Sequence, residues 1–540
     1  MNILGLAVAT TEHHAACLVR DGHVIAAVEE ERLNRIKHYG APGGSAQDSN
    51  LISDPTLELK DVLCKKSVAW VLDAAGITLE DVDAIAVNGL PNKILRSTPD
   101  REELRVHKEG KVHYVPHHLS HGASAFFLSG FDSARVLVVD GRGERDTATV
   151  YDADWELGLK EIRRWPVEPG ARSVGGVYDT ASRMLGFGPH GQGAVMALAG
   201  KEPASAVPQD CFRALGEGEF VANPAAMQSA LEDNPRQREE PVSHSHVRIA
   251  KGVQDGLLDV VSALAAWDLR GPLEKGLCMA GGVFLNCPLN THLTRKLKPT
   301  GVFVQPGAHD GGTAIGAALQ VAWSMEEPLP KRPMTHAALG PAFTTGEMER
   351  ALQGSGLKYS HNGGTFGDLS AALKEHQIVC LFEGAMEFGP RALGNRSILA
   401  NPTRASTKER LNRMKGRASW RPFGGIFRKE NAAEYLEEPF DSPFMLFTFS
   451  VKPEKRTEIP VLVHGDGSTR PQVVEKVRDS KLWSLLVELE ESCGIRGVVN
   501  TSFNRSGEPI VCRPEEAIES FVALGADAMQ MGPFWVVSSP

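Results

Sequence analysis

One pattern of strands occurs twice early in the chain, and it constrains the fold more than any other feature. The chain opens with an apolar stretch, MNILGLAV, which is followed by a hairpin turning at Asp21-Gly22. Residues 134–165 repeat this plan with the strand ARVLVVD, the polar loop GRGERD and two further strands. The repetition indicates an internal duplication within an α/β fold.

The length of 540 residues predicts two domains, because one compact core rarely grows this large. Residues 326–345 are Pro-rich and aperiodic and form the best linker candidate, and a second α/β unit follows them to the C-terminus. Between the second copy of the repeat and this linker, we expect helices over 173–199 and 246–267. Residues 200–245 are polar and predict an irregular surface segment.

The bulk properties exclude several classes of protein. A net charge of −9 argues against a nucleic-acid partner, which favours clustered Lys and Arg. No run approaches the roughly 18 apolar residues of a membrane span, and the N-terminus reads as a strand rather than a signal peptide. The eight cysteines form no CxxC pair, which predicts reduced thiols. We therefore expect a cytoplasmic protein with no membrane partner.

Two histidines and two aspartates form a first candidate site. His117 and His121 lie four residues apart and share one face if their segment is helical. Asp140 ends the strand VLVVD, and Asp310 lies in a Gly-rich loop after another strand. Two imidazoles and two carboxylates suit Fe, Mn or Zn. The alternative is an ordinary helix face with hydrogen-bonded histidines.

Pairs of glycines follow two predicted strands of the same half. Gly281-Gly282 would let the backbone approach a ligand closely, and Gly311-Gly312 would offer free N–H groups to a phosphate at a helix start. Together these pairs favour a nucleotide cleft between two subdomains. Each pair alone is equally typical of a plain turn.

Basic and polar residues form a second candidate site in the C-terminal half. They lie in the segments EFGPRALGNRSIL, KGRASWRPF, HGDGSTR and NTSFN. Their members are Arg391, Arg396, Lys415, Arg417, Arg421, Arg470, Asn500 and Ser502. Such clustering in an acidic protein indicates an anionic small molecule, with Arg as a bidentate phosphate fork. The alternative is a set of solvated basic surfaces.

At this point the chain resembles the O-carbamoyltransferases of the nodulation and antibiotic-biosynthesis type. The likeness covers nearly the whole chain, in order, and EFGPRALGNRSIL and NTSFN are its most specific carriers. It implies a duplicated, actin/Hsp70-like N-terminal domain at 1–335, close to the universal tRNA-threonylcarbamoylating protein. It also implies a YrdC-like α/β domain at 346–540.

The resemblance also implies a reaction. Carbamoyl phosphate and ATP, with Mg²⁺, would give carbamoyl adenylate in the C-terminal domain. The N-terminal domain would pass the carbamoyl group to a hydroxyl of a small molecule, a specialised metabolite such as an antibiotic, at Fe²⁺ or another divalent metal.

Residue by residue, the resemblance places the metal ligands at His117, His121, Asp140 and Asp310. The residues implied for binding substrates and nucleotide are Gly281, Gly282, Asn286, Arg391, Lys415, Arg470, Asn500 and Ser502. Of these, Lys415 and Ser502 are also expected to take part in catalysis.

Two segments depart from the family pattern. The family usually has His followed by Asp near the first hairpin, whereas this chain reads Glu12-His13-His14. An alignment without gaps places Glu12 at the family histidine, and one gap restores His13, so the base is expected at His13 or His14. Gln192-Gly193-Ala194 replaces a family Glu-Gly-Lys, which alters the local charge.

Three other functions remain open at this level. A tRNA threonylcarbamoyl-type enzyme is the main alternative, and the acidic charge and the fused C-terminal half speak against it. A metallopeptidase is disfavoured because HxxxH lacks the HExxH glutamate. A non-catalytic nucleotide-binding regulator is the third. The acceptor, the metal and the oligomeric state stay undetermined.

Overall fold

The chain forms two compact units. The computed structural model describes residues 1–9, 12–40, 64–98, 104–167, 172–201, 210–231, 235–269 and 271–538. Unit 1 comprises Met1–Glu30 and His38–Met334, and unit 2 comprises Glu31–Lys37 and Thr335–Pro540. Within these described ranges, none of the helices has both the length and the apolar composition needed to cross a membrane.

Unit 1 contains two larger sheets. The strands of the first are β1 (Asn2–Ala7), β2 (Ala15–Arg20), β3 (His23–Glu29), β4 (Ala84–Val87), β5 (His107–Glu109) and β6 (Val112–Tyr114). The strands of the second are β7 (Ser133–Val139), β8 (Asp146–Asp154), β9 (Gly158–Pro166), β12 (Gly276–Ala280) and β13 (Val302–Val304). A separate hairpin pairs β10 (Phe212–Gly216) with β11 (Glu219–Ala222).

The two sheets of unit 1 share one topology. The first runs β3-β2-β1-β4-β6-β5 and the second β9-β8-β7-β12-β13. In each, the first three strands form an antiparallel hairpin ladder, and the next two extend it in parallel. The repeated strand–hairpin pattern of the sequence therefore lies at corresponding places in two mixed sheets.

The helices before residue 335 alternate with these strands along the chain, and all of them lie in unit 1 except α1, whose residues after Glu30 belong to unit 2. They are α1 (Glu30–Asn34), α2 (Lys65–Ala74), α3 (Asn92–Ser97), α4 (His117–Phe126), α5 (Val174–Met184), α6 (Gln192–Ala199), α7 (Pro224–Leu231), α8 (His244–Ala266), α9 (Cys287–Leu297) and α10 (Thr313–Ser324). The irregular segment predicted at 200–245 is wrong in part, because β10, β11 and α7 lie within it. Their apolar residues Phe212, Phe220 and Met227 are buried, which the polar composition of the segment concealed.

Helix α10 lies unusually close to α4. A Cβ atom built on Gly316 would lie 1.7 Å from the backbone oxygen of Ser120, so only glycine permits this approach. Ten consecutive residues of α10, from 313 to 322, are buried, and the helix packs between α4 and the strands β1, β2 and β4. This packing fixes the position of α4.

Unit 2 is built on one large mixed sheet. Its strands are β14 (Lys358–His361), β15 (Val379–Phe382), β16 (Arg396–Ala400), β17 (Gly424–Arg428), β20 (Pro471–Val474), β21 (Gly497–Ser502), β22 (Ala528–Met531) and β23 (Phe534–Val537). They run in the order β14-β23-β22-β15-β16-β21-β17-β20, and β18 (Phe449–Ser450) pairs separately with β19 (Ser468–Thr469). The helices are α11 (Thr345–Ser355), α12 (Gly367–Lys374), α13 (Ser406–Met414), α14 (Lys429–Tyr435), α15 (Ser480–Cys493) and α16 (Pro514–Leu524).

The buried carboxyl group of Asp146, at the start of β8, should make the stability of the fold depend on pH. Burial raises its pKa to about 7 from an ordinary 3.8, although Arg164 lowers it. Between these values the folded state holds a proton that the unfolded chain has lost, so stability falls as pH rises. In Asp146→Asn this fall is absent. The unfolding free energy of the variant minus that of the parent should therefore be about 2–3 kcal/mol larger near pH 8 than near pH 5.

Urea unfolding at both pH values measures this difference. Asp132→Asn is the matched control, because Asp132 is exposed. An equal effect of Asp146→Asn at both pH values would contradict the buried-carboxyl explanation.

Candidate functional site

Four side chains of unit 1 converge on one point. His117 and His121 lie one turn apart on α4, Asp140 follows β7, and Asp310 opens the short 3-10 turn Asp310–Gly312. Their ligand atoms all lie within 4.8 Å of one another. The structure thus brings together all four residues that the sequence suggests as metal ligands, and we call them the four-ligand group.

The spacing within the four-ligand group fits a metal ion. His117 Nε2 lies 3.1 Å from His121 Nε2 and 3.2 Å from Asp140 Oδ2. The other imidazole-to-carboxylate distances are 3.5–3.7 Å. A tetrahedral ion with bonds of about 2.1 Å separates its ligand atoms by about 3.4 Å. Two nitrogens and two oxygens suit Zn²⁺, Fe²⁺ or Mn²⁺, so the donor set leaves the metal undetermined.

The electrostatics of the four-ligand group also favour a cation. Burial lowers the pKa of His117, but the hydrogen bond to Asp140 and the charges of Asp310 and Asp140 outweigh burial and raise it to about 9. Burial raises the pKa of Asp140, yet hydrogen bonds from His117 and His121 hold it well below its usual range. Without a metal, His117 therefore keeps a proton, which a divalent cation bound at this position would displace.

Glu144 orients the helix that carries the two histidines. Its Oε1 accepts hydrogen bonds from the backbone N–H of His117 (2.8 Å) and of Leu90 (3.2 Å). A carboxylate at a helix N-terminus satisfies an orphan N–H and interacts favourably with the helix dipole. The sequence analysis missed Glu144, although an acid in the loop GRGERD directly after Asp140 is a usable signal.

His118 lies between the two ligand histidines but has a different environment. It is buried, and its Nδ1 lies 2.7 Å from the hydroxyl of Thr149. Burial and the charge of His117 lower its pKa to about 3, so it is neutral at ordinary pH. The helical spacing thus separates two inward-facing histidines from one that supports β8.

The glycine pair after β12 lies beside Asp140. Gly281 has a φ of 100°, and a Cβ atom there would lie 2.2 Å from Val139 O. A Cβ atom on Gly282 would lie 3.2 Å from Asp140 Oδ1. These glycines let the chain pass close to the end of β7. Adenylate binding by Gly281 and Gly282 stays a prediction.

Asn286 already has several hydrogen bonds in unit 1. Its Oδ1 accepts from the N–H of Leu289 and so caps α9. Its amide also pairs with that of Gln254, at 2.8 and 3.0 Å. Adenylate binding by Asn286 stays a prediction as well, since its nearest partners are structural.

The two histidines expected near the first hairpin differ in exposure. His14 is fully buried, edge-on to Tyr39. His13 is half-buried and stacks on His309 with ring centroids 4.5 Å apart. Of the two, only His13 is placed where it could meet a ligand beside Asp310.

The second departure from the family pattern lies in an acidic region. The Gln192 side chain donates a 3.0 Å hydrogen bond to Asp179. Burial, with repulsion from Asp310 and Asp179, raises the pKa of Glu12 to about 7. Gln192 therefore lies beside Asp179, whose charge also acts on Glu12, although the family glutamate is absent there.

A group of basic side chains lies in unit 2, and we call it the cationic cluster. Its members are Lys37, Arg391, Lys415, Arg417, Arg421 and Arg470. Burial lowers the pKa of Arg417 to about 9, and repulsion from Arg421 and Arg470 adds to this effect. In the part of the chain that the structure describes, the Arg421 guanidinium makes neither a hydrogen bond nor an ion pair. An anion among these residues would relieve their repulsion.

Lys415 organises the NTSFN turn from inside. Its Nζ donates to the backbone oxygens of Ser502 (2.5 Å) and Asn504 (2.8 Å) and to Asn504 Oδ1 (3.2 Å). The Ser502 hydroxyl donates to the same Oδ1 at 2.6 Å. Burial lowers the pKa of Lys415 well below its usual range, and repulsion from Arg417 and Lys37 contributes. Lys415 therefore has a structural role in addition to the phosphate contact expected from the sequence.

Asn500 ties the strand β21 to the EFGPRALGNRSIL loop. Its Nδ2 donates to Ala392 O (3.0 Å) and to Gln472 Oε1 (3.2 Å). Glu387 holds the same loop by accepting from Leu393 N at 2.7 Å. Among the described residues, the buried Asn500 Oδ1 has no hydrogen-bond partner, so a donor from a ligand could satisfy it.

Arg396 does not belong to the cationic cluster, so its expected part in a phosphate fork is wrong. It is fully buried on β16 and lies 3.7 Å over the ring of Phe382. Its guanidinium donates to four backbone carbonyls, those of Pro341, Glu383, Gly384 and Asn395. Arg396 therefore has a structural role inside unit 2. Clustering of basic residues in the sequence does not distinguish such a role from ligand binding.

The sequence analysis also missed the segment Glu31–Lys37, which belongs to unit 2. Arg35 donates to Ile510 O (2.7 Å) and Pro509 O (3.1 Å), and Arg32 donates to Gly389 O (3.0 Å). The segment ends at Lys37, a member of the cationic cluster. The basic residues of RLNRIK are the available signal, but their partners lie more than half the chain away.

Known families and proteins match most of the chain. The family model described as "Carbamoyltransferase N-terminus" matches residues 2–101, 99–228 and 242–319, and "Carbamoyltransferase C-terminus" matches 370–538. The nodulation protein NolNO of Sinorhizobium fredii is 30% identical over 97% of this chain and 78% of its own. Nodulation protein U of the same organism is 27% identical over 92% and 93%. Among solved structures, T. kodakarensis HypF is similar at 14% identity over 61% of this chain and 48% of its own, with a TM-score of 0.35.

Replacing Lys415 should destabilise unit 2. Lys415→Met removes the donor for three oxygens around the NTSFN turn, and unpaired buried acceptors cost about 1–3 kcal/mol. We expect a loss of about 1–3 kcal/mol in the free energy of unfolding, measured in urea. Lys358→Met, at an exposed position on β14, should change it by less than about 0.5 kcal/mol. Lys415→Met also removes the repulsion between Lys415 and Arg417, so unchanged or increased stability would show that this relief outweighs the lost hydrogen bonds and would contradict the prediction.

Proposed function

Because this chain belongs to the carbamoyltransferase family, it is an enzyme that transfers carbamoyl groups, and we propose that it is an ATP-dependent O-carbamoyltransferase. Carbamoyl phosphate and ATP are the proposed substrates of unit 2, and a small-molecule hydroxyl is the proposed acceptor in unit 1. The observation that carries this proposal is the cationic cluster, in which the buried Lys415 and the half-buried arginines around it repel one another.

The activation step is proposed for unit 2. Carbamoyl phosphate reacts with water to give carbamate and inorganic phosphate. A carbamate oxygen then attacks the α-phosphorus of ATP, and pyrophosphate leaves with the electron pair of the broken P–O bond. Such chemistry depends on positioning and charge neutralisation. Arg391, Arg421 and Arg470 would hold phosphate oxygens, while Lys415 keeps the Ser502 turn in place.

The transfer step is proposed for unit 1. The acceptor hydroxyl attacks the carbamoyl carbon of carbamoyl adenylate, AMP leaves, and the hydroxyl proton goes to a base. The four-ligand group would hold a divalent metal, which when bound supplies a Lewis acid for phosphoryl or carbonyl oxygens. The matching topology of the two sheets supports an actin/Hsp70-like arrangement of this unit. The buried position of His14 disfavours it as the base.

The alternative of a tRNA threonylcarbamoyl-type enzyme is not favoured. The net charge of −9 opposes binding to a polyanion, and the family matches cover both ends of the chain as a carbamoyltransferase.

The proposed reaction can be tested directly. The protein is incubated with carbamoyl phosphate, Mg²⁺-ATP and a panel of hydroxylated small molecules. We expect AMP and pyrophosphate in equal amounts, together with a carbamate ester of one acceptor. Omission of carbamoyl phosphate is the control, and failure to form pyrophosphate under any condition contradicts the proposal.

Variants should separate the two steps. Arg421→Ala weakens the cationic cluster, so the rate of pyrophosphate release should fall at least about tenfold, the effect of losing one charge-assisted hydrogen bond. Arg404→Ala, an exposed arginine of the same unit, is its matched control. His117→Ala should leave pyrophosphate release within about twofold of the parent but reduce carbamate ester formation at least about a hundredfold. Equal loss of both steps in both variants would contradict separate sites.

A further inference from the structure

Three histidines of unit 1 form a second convergent group, which we call the histidine cluster. His13 lies between β1 and β2, His38 lies between α1 and α2, and His190 precedes α6. Their nearest ring nitrogens all lie within 4.8 Å of one another. The rings of His38 and His190 stack at 3.7 Å, and His13 meets His38 edge-on at 5.1 Å. No member belongs to the four-ligand group.

The backbone at each of these histidines is in the left-handed region. The φ angles are 59° for His13, 57° for His38 and 65° for His190. A non-glycine residue there costs about 1 kcal/mol or more. Three such residues from separate loops have their rings close together. The fold therefore accepts an unfavourable backbone conformation at each of the three positions that bring the imidazoles together. Packing alone does not require this, because His38 and His190 are accessible to solvent.

The chemistry of three adjacent imidazoles favours a cation. Three protonated rings at this separation would repel one another. Three neutral rings each present one nitrogen lone pair, and in this cluster one nitrogen of each ring lies within 4.8 Å of the others. A divalent transition metal is the partner that three imidazoles prefer.

Glu12 adds a feature typical of metal-bound histidine. Its Oε2 lies 3.3 Å from Nδ1 of His190. A histidine that ligates a metal usually donates its other ring N–H to a carboxylate, which fixes the tautomer and the ring orientation.

His309 is close to the histidine cluster but has another role. Its Nδ1 accepts a 3.0 Å hydrogen bond from the N–H of Gly311, so the ring proton is on Nε2. That Nε2 lies 2.8 Å from Oε1 of the buried Glu29. His309 also forms a possible ligand group with His13 and Glu29, but its contact with Gly311 makes it a support for the turn that carries Asp310.

We propose that His13, His38 and His190 bind a second divalent transition-metal ion, separate from the four-ligand group and with Glu12 orienting His190. Bonds of about 2.1 Å place ligand atoms about 3.4 Å apart, so each nitrogen has to move by less than about 1 Å. Three protein ligands leave a coordination position for water or a ligand oxygen. The inference does not rest on the proposed reaction, and it assigns His13 to a metal rather than to the role of base.

Cobalt binding tests this proposal without any substrate. The full chain is stripped with a chelator, and Co²⁺ alone is added in equilibrium dialysis while the visible d–d absorption is recorded. We expect two equivalents of Co²⁺ per chain in the parent protein. The double variant His38→Ala/His190→Ala should bind one equivalent, and His117→Ala/His121→Ala should also bind one. A protein with all four substitutions should bind none.

Controls keep the result specific. His23→Ala replaces an exposed histidine of β3 and should still bind two equivalents. His190→Gln and Glu12→Gln are milder changes at accessible positions, and each should weaken one class of sites about tenfold or more while circular dichroism stays unchanged. One equivalent in the parent protein, or two equivalents in folded His38→Ala/His190→Ala, overturns the proposal. Either result leaves the pyrophosphate and carbamate assays to decide the proposed function separately.

Discussion

The largely buried carboxylate of Asp140, 14% exposed and held between the imidazoles of His117 and His121, is the interaction on which unit 1 depends. A buried charge is costly unless it is paired and hydrogen-bonded, so the surrounding elements have to be placed accurately. Gly316 lets α10 press against α4, Glu144 fixes the start of α4, and Gly281 lets the chain pass the end of β7. The apolar packing of these elements and the polar centre therefore constrain the same few backbone positions.

Unit 2 presents the opposite electrostatic situation. Its cationic cluster gathers positive charge in partly buried surroundings, and a bound anion would relieve the repulsion among these side chains. The hydrogen bonds of Lys415, Asn500 and Glu387 hold the loops around the cluster in place. Binding is therefore expected to stabilise this unit, because the ligand supplies charge that the described residues around Arg421 lack.

Local periodicity and strand-end position predicted part of this structure. The four-residue spacing of His117 and His121 on a helix, and the place of Asp140 after β7, follow from short stretches of sequence. Burial did not follow from them: Arg396 is as basic as Arg421, yet it serves backbone carbonyls inside the sheet. Residues joined only by long-range packing were missed. Glu144, Lys37 and the partners His38 and His190 come from loops whose meeting depends on the completed fold, and no local pattern encodes it.

The assignment of Glu31–Lys37 to unit 2 has a consequence for biosynthesis. The ribosome makes this segment early, but its partners Gly389, Pro509 and Ile510 emerge near the end. At roughly 5–20 residues per second, the delay lasts on the order of 15–100 s. The first sheet of nascent unit 1 therefore has to form while the segment Glu31–Lys37, which follows β3 in the chain, still lacks these partners. A fragment that begins at Thr335 would lack Glu31–Lys37, so it would not contain the whole of unit 2.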